Sequence, residues 1–343
     1  MTAPTKSSVS KPTLSRRFAL FLRNLGTKLE PRATGLALAN LIAQVGIIVT
    51  GGLVRLTGSG LGCSTWPLCE PGQFAPVLHE AATYHPFVEF GNRTMTGVLS
   101  VISVLLILAL QYNKNRTREV KVLAWTVLVL IAIQAGVGGV TVLFTLNPAI
   151  VSAHMLISLA LVAVSALLHF RMARSDSPVT AVATPTWLAN MGLVQLLLTL
   201  PIMVLGVVVT GAGPHSGDTE VGYRLLFDPM SISKLHALFV WLFVVALAVM
   251  GAGLLRARRF TDPNGTPLAT TAQVNTWWVL VGVTFLQGLI GYYQTFNGLP
   301  IFVVLAHMLG AALLTTASVR MTLALSPHVS AWRIESLEAS APR

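Results

Sequence analysis

Apolar residues run through this chain in long blocks, and polar and charged residues gather in the gaps between them. Eight blocks, at 36–56, 90–112, 121–143, 149–171, 187–210, 232–255, 274–294 and 300–321, each reach the roughly 20 residues an α-helix needs to cross a bilayer. Lipid offers no partner for an unpaired strand edge, so open sheets are excluded there. The pattern predicts an all-α integral membrane protein of eight transmembrane helices. Residues 1–35 are polar and basic, and their apolar stretch Phe18–Leu22 is too short for a signal-peptide core. They are expected to form a cytoplasmic tail with an interfacial helix around Leu14–Leu29. Residues 322–343 are expected to form a second cytoplasmic tail.

Composition agrees with the pattern. Only 10% of the 343 residues are charged and 54% are hydrophobic, against about 25% charged in a soluble domain. The net charge of +11 does not point to nucleic acid, because the basic residues sit in tails and short loops. Lys114, Arg116, Arg118 and Lys121 follow the second block, Arg171 and Arg174 the fourth, and Arg256, Arg258 and Arg259 the sixth. The positive-inside rule puts these loops and both termini in the cytoplasm of a multi-pass plasma-membrane protein. Loops 57–89, 144–148, 211–231 and 295–299 then face outward.

The chain also repeats itself. Thr57-Gly58-Ser59-Gly60 recurs as Thr210-Gly211-Ala212-Gly213, and Gln134, Gly138 and His154 recur as Gln287, Gly291 and His307, all at an offset of 153. Two four-helix halves are expected, 36–172 and 187–321, joined by a cytoplasmic linker at 173–186. An even number of spans per half gives both copies one orientation, which predicts a pseudo-twofold axis along the membrane normal.

Three histidines enter their helices from the outer side to a similar depth. His154, His236 and His307 each lie about five residues in, or about 7 Å below the outer boundary. Ionisable residues inside a span point to function. No Cys, Asp or Glu stands near them in metal-ligand spacing, which disfavours zinc. Haem iron needs only one or two axial imidazoles, and facing helices of a bundle supply them. His236 and His307 could close both faces of an iron in the second half. In the first half His154 has Asn92, a poor iron ligand, at the place opposite, leaving an open face; His79 and His85 in the adjoining loop are further candidates.

Glu89 lies one turn from Asn92 on the same helix face, with Arg93 beside it. It reads either as a working carboxylate or as a boundary charge satisfied by Arg93. Arg55 ends the first span, where it could bind haem propionates or snorkel to the interface. Cys63 and Cys69, the only cysteines, share the first outer loop. The oxidising side permits a disulfide there, either a structural staple or a redox-active pair.

Together these residues resemble the haem A synthase family. The resemblance covers about residues 36–321. It rests on Gly51-Gly52-Leu53-Val54-Arg55-Leu56-Thr57-Gly58-Ser59-Gly60, on the Cys63/Cys69 loop with Trp66-Pro67-Leu68, on Glu89 to Arg93, on the three histidines, and on Gln294-Thr295-Phe296-Asn297-Gly298-Leu299-Pro300. It implies oxidation of the C8 methyl of haem O to a formyl group for terminal-oxidase assembly. It further implies a haem b cofactor held by His236 and His307, substrate haem on His154, Glu89 as the catalytic carboxylate, Arg55 and Arg93 as haem-binding cations, and a Cys63–Cys69 disulfide. Many members carry His where this chain has Asn92, so a five-coordinate substrate haem or weakened activity is expected. The implied partners are haem O, haem O synthase, oxidase assembly factors and a quinol or protein electron donor, with self-association through small-residue faces open. Two other readings are a non-catalytic dihaem electron carrier, which Asn92 disfavours, and a transporter, which would place its ionisable groups near the midplane.

Overall fold

The computed structural model describes residues 13–77, 83–176, 182–215, 217–218, 220 and 222–326. Its helices are α1 (Leu14–Leu29), α2 (Ala33–Leu56), α3 (His85–Gln111), α4 (Arg118–Leu143), α5 (Pro148–Ser175), α6 (Thr186–Ala212), α7 (Pro229–Ala257), α8 (Thr271–Phe296) and α9 (Ile301–Leu325). A 3₁₀ turn, Glu30–Arg32, joins α1 to α2, and among the described residues β structure is limited to isolated bridges. Among the described residues, eight helices, with α1 and α2 taken as one, are long and apolar enough to span a membrane. Every expected span is present with ends moved by a few residues. α9 runs to Leu325, four residues into the stretch expected to be tail; residues 327–343 of that tail, residues 1–12 and His79 lie outside the described residues.

Polar caps and prolines set the helix starts. Thr117, Asn147 and Asp228 each accept a backbone N–H in the first turn of α4, α5 and α7, and Thr270 with Gln273 forms a capping box on α8. Pro86, Pro148 and Pro229 occupy first-turn positions of α3, α5 and α7, where a missing N–H costs nothing. α1 is amphipathic and exposes Leu14, Phe18 and Phe21; its one buried residue, Gly26, lies against the Leu108 carbonyl of α3.

The internal repeat is structural. α2, α4 and α5 begin at 33, 118 and 148, and α6, α8 and α9 begin at 186, 271 and 301, each 153 residues later. α3 and α7 break the offset because segment 57–84 is longer than segment 213–228. α2 packs on α3 and α5, and α4 on α5; correspondingly α6 packs on α7 and α9, and α8 on α9. Between the halves, α5 meets α9, α2 meets α9 and α5 meets α6. Exchanging the halves maps this set of contacts onto itself, as a twofold relation requires.

Each half has its own apolar core. Leu106, Leu110, Val127, Leu161 and Leu168 fill the first, and Leu188, Phe243, Met250, Leu280 and Met321 the second. Leu41, Ile48, Val162, Ala312 and Val319 pack in a third cluster between α2, α5 and α9. Large apolar side chains such as Val129, Leu200, Trp241 and Phe285 are exposed, which suits a lipid-facing surface.

The α2–α3 and α6–α7 loops knit the halves together. The Gly60 N–H donates to the Gly217 carbonyl at 2.8 Å, and Ser59 forms a bridge with Asp218. A Cβ on Gly60 would lie 2.7 Å from that carbonyl oxygen, so the crossing requires glycine. At the other end, Arg116 pairs with Asp176 at 2.6 Å, Arg171 pairs with Glu119, and Arg174 donates to the Leu323 carbonyl.

Candidate functional site

A cavity of about 1340 Å³ opens among the helices of both halves, lined by His154, His236 and His307 together with Glu89, Asn92, Arg93 and Arg55. It exceeds the roughly 300–1,000 Å³ of a single small-molecule pocket.

The same device holds a histidine in each half. Gln134 Nε2 on α4 donates to the His154 carbonyl oxygen of α5 at 2.7 Å, and Gln287 Nε2 on α8 donates to the His307 carbonyl oxygen of α9 at 3.0 Å. Gly138 and Gly291 let the imidazoles lie against the neighbouring backbone: a Cβ there would stand 3.2 and 3.4 Å from the ring Cε1 atoms. His154 Nδ1 and His307 Nδ1 are buried with no hydrogen-bond partner among the described residues. His236 Nδ1 lies 3.0 Å from the Ile202 carbonyl oxygen. Donation there leaves the lone pair on Nε2, the tautomer a metal-ligating imidazole needs. His236 and His307 line the same cavity.

Asn92 and His236 are each the eighth residue of their helices, α3 and α7. The Asn92 amide is held from α2, where Thr50 Oγ1 donates to its Oδ1 at 2.7 Å. His85 is the first residue of α3, and its Nδ1 hydrogen-bonds Ser59 Oγ at 2.8 Å.

Glu89 is buried, 4% exposed. Its Oε2 accepts the Cys63 N–H at 2.7 Å and its Oε1 accepts Arg93 Nε at 3.1 Å. Arg93 Nη1 donates to the Thr65 and Leu68 carbonyls at 3.0 and 3.2 Å. Cys63 and Cys69 are joined in a disulfide and fully buried. The disulfide loop thus sits on a buried ion pair, with the Trp66 ring packed on Gly139 of α4. The Arg93 donors are engaged within the protein, so Arg93 reaches the cavity as the partner of Glu89 rather than as a free cation.

Arg55 neither snorkels nor stands free. Its Nη2 donates to the Thr210 carbonyl at 2.6 Å and its Nε to the His215 carbonyl at 2.9 Å. A first-half side chain therefore pins the third outer loop of the second half. Sequence reasoning could not find this contact, because the acceptors are main-chain carbonyls 155 and 160 residues away. The glutamine clamp was visible as a repeated residue; its acceptor was not.

Two imidazoles in one half, one imidazole and an amide in the other, all lining one cavity, and glycines that clear space for the α5 and α9 rings fit haem. The family model for cytochrome oxidase assembly proteins matches residues 34–319, nearly the whole membrane region. The chain belongs to this haem A synthase family. Relatives named heme A synthase include one from Bacillus pumilus (strain SAFR-032), 37% identical over 137 residues, covering 38% of this chain and 43% of the relative. One from Listeria welshimeri serovar 6b is 37% identical over 139 residues, covering 39% of this chain and 44% of the relative. One from Exiguobacterium sibiricum is 28% identical over 250 residues, covering 69% of this chain and 81% of the relative. The chain matches a little under half the length of the first two. Asn92 and His154 lie in one half and His236 and His307 in the other.

Proposed function

We propose that this protein is a haem A synthase that oxidises the C8 methyl of haem O to a formyl group for terminal-oxidase assembly. The observation that carries the reading is the unequal pair of sites in one duplicated frame: two imidazoles in the second half, one imidazole and Asn92 in the first. Two strong ligands suit electron transfer, and an open coordination face suits chemistry at the substrate. His236 and His307 would hold a haem b cofactor, which supplies electron transfer when bound. His154 would hold the iron of substrate haem O. A carrier with two equivalent haems would need a second strong ligand at position 92.

The chain's own residues then divide the work. Gln134 and Gln287 fix the two helix α5 and α9 histidines in height. Thr50 keeps Asn92 turned as a neutral group at the cavity wall. Glu89, at the lip of the first-half cavity, orients the substrate edge or carries a proton, and Arg93 and the Cys63 N–H hold its carboxylate in place. Arg55 sits where propionates would reach the outer rim. The disulfide loop and its Trp66 cover the first-half site from water. The basic loops support a plasma-membrane location with both termini in the cytoplasm, and haem O synthase, oxidase assembly factors and a quinol or protein donor are the partners this chemistry requires.

Spectra of two variants test the assignment of halves. His307→Ala is expected to abolish the tightly bound b-type spectrum of the purified protein. His154→Ala is expected to preserve that spectrum and abolish binding of added haem O. A b-type spectrum unchanged in His307→Ala would overturn the cofactor assignment.

A further inference from the structure

Deeper than the histidines, the cavity is lined on its first-half side by a polar side chain whose amide nitrogen has no protein partner among the described residues. Gln44, on α2, lines the cavity with Ile48, Leu99 and Ile131. It is 2% exposed, and its Nε2 has no hydrogen-bond partner among the described residues. Asn40, one turn deeper on the same helix, shows that the fold can satisfy such a group: its Nδ2 donates to Ser165 Oγ at 2.9 Å and its Oδ1 accepts from Ser103 Oγ at 3.2 Å. A buried amide nitrogen without a partner carries an uncompensated desolvation cost, so the Gln44 Nε2 group is built to meet a ligand. Gln134 Oε1, nearer the outer side on α4, is a second unpaired atom of the same wall.

Depth identifies the ligand group. Gln44 lies twelve residues before the end of α2 and His154 six residues after the start of α5. At the helical rise these are about 18 and 9 Å below the outer ends of their helices. Gln44 is therefore deeper than the ligand histidine by about 9 Å, within the combined reach of the porphyrin radius and an extended glutamine side chain. Charged propionates belong at the outer rim, so the opposite edge of the ring faces inward. On haem O that edge carries a hydroxyl on the first carbon of its long alkyl chain; on haem B the same carbon belongs to a vinyl group with no polar atom.

We propose that Gln44 is a specificity residue that hydrogen-bonds the side-chain hydroxyl of haem O and so distinguishes it from haem B. The inference rests on the assignment of the first half to substrate haem. A site that hydrogen-bonds a substrate hydroxyl disfavours the analogue lacking it, because its own polar group is then left unpaired.

The test is optical titration of the full-length purified protein, carrying its second-half haem, with haem O and separately with haem B. His154→Ala defines the first-half signal. Gln44→Leu is expected to weaken haem O binding roughly tenfold and to change haem B binding by less than about twofold. Gln44→Met serves as a second variant of similar length, and an intact second-half spectrum certifies the fold of either. Equal effects on both haems, or no effect on either, would overturn the role of Gln44 while leaving the site assignment standing. Absence of any His154-dependent haem O binding would overturn the functional reading and this inference together.

Discussion

Glu89 shows what a single residue can and cannot reveal before the fold is known. The sequence placed it beside Arg93 and one turn from Asn92, but both readings of its charge remained open. The geometry joins them: the carboxylate is paired with Arg93, bonded to the Cys63 N–H and still part of the cavity wall. Removing one partner of a buried ion pair costs about 3–5 kcal/mol. Glu89→Ala is therefore expected to lower thermal stability measurably while retaining the second-half haem, and to stop formyl formation. Glu89→Gln keeps the shape and most hydrogen bonds, so it should recover stability but not product. Wild-type product from Glu89→Gln would show that the carboxylate only supports the loop. The histidines were the most legible residues, because ionisable groups inside spans are rare and the duplication counted them twice. The roles of Thr50 and Gln44 were not legible, since a hydroxyl or an amide in an apolar helix gives no sign of whether it has a partner.

At the scale of elements, the eight spans and the offset of 153 could be read from hydropathy and repeated residues alone. Helix α4 recurs as α8 at that offset at both ends, and α5 and α9 share their starts. The α3 and α7 pair departs from the offset, because the loop before α3 carries the additional disulfide segment; Asn92, read from the sequence as the residue opposite His154, and His236 share the eighth position of their helices. Loop contacts were hidden for a different reason. They run through main-chain carbonyls, which every residue carries. Arg55 is the clearest case, and its bonds to the Thr210 and His215 carbonyls tie one half to the other. Arg55→Ala is expected to remove roughly 2–3 kcal/mol of stabilisation at the outer face and to speed limited proteolysis within the third outer loop. Arg55→Lys should restore only part of the protection, because an ammonium cannot copy the guanidinium fork. Unchanged proteolysis in Arg55→Ala would mean the latch is incidental.

For the whole molecule, the two halves repeat one four-helix frame and differ in the loop after the first span and at the position shared by Asn92 and His236. One frame places a histidine on α5 and on α9, and the facing position is Asn92 in one copy and His236 in the other. Orientation follows from the basic loops, which were legible as charge, and it predicts that both termini lie on the cytoplasmic side. Single cysteines placed at residue 115 and at residue 298, in a variant background, should label from opposite sides of sealed vesicles. Labelling from the same side would contradict the topology.

The most direct measurement is haem extraction and mass analysis after co-expression with a haem O synthase in a host that makes no haem A. Haem A, or its hydroxylated precursor, is expected only when this protein is present, and its loss in His154→Ala should follow. A protein that is recovered with haem b and haem O bound, yet yields no oxidised product with a competent electron donor supplied, would contradict the account.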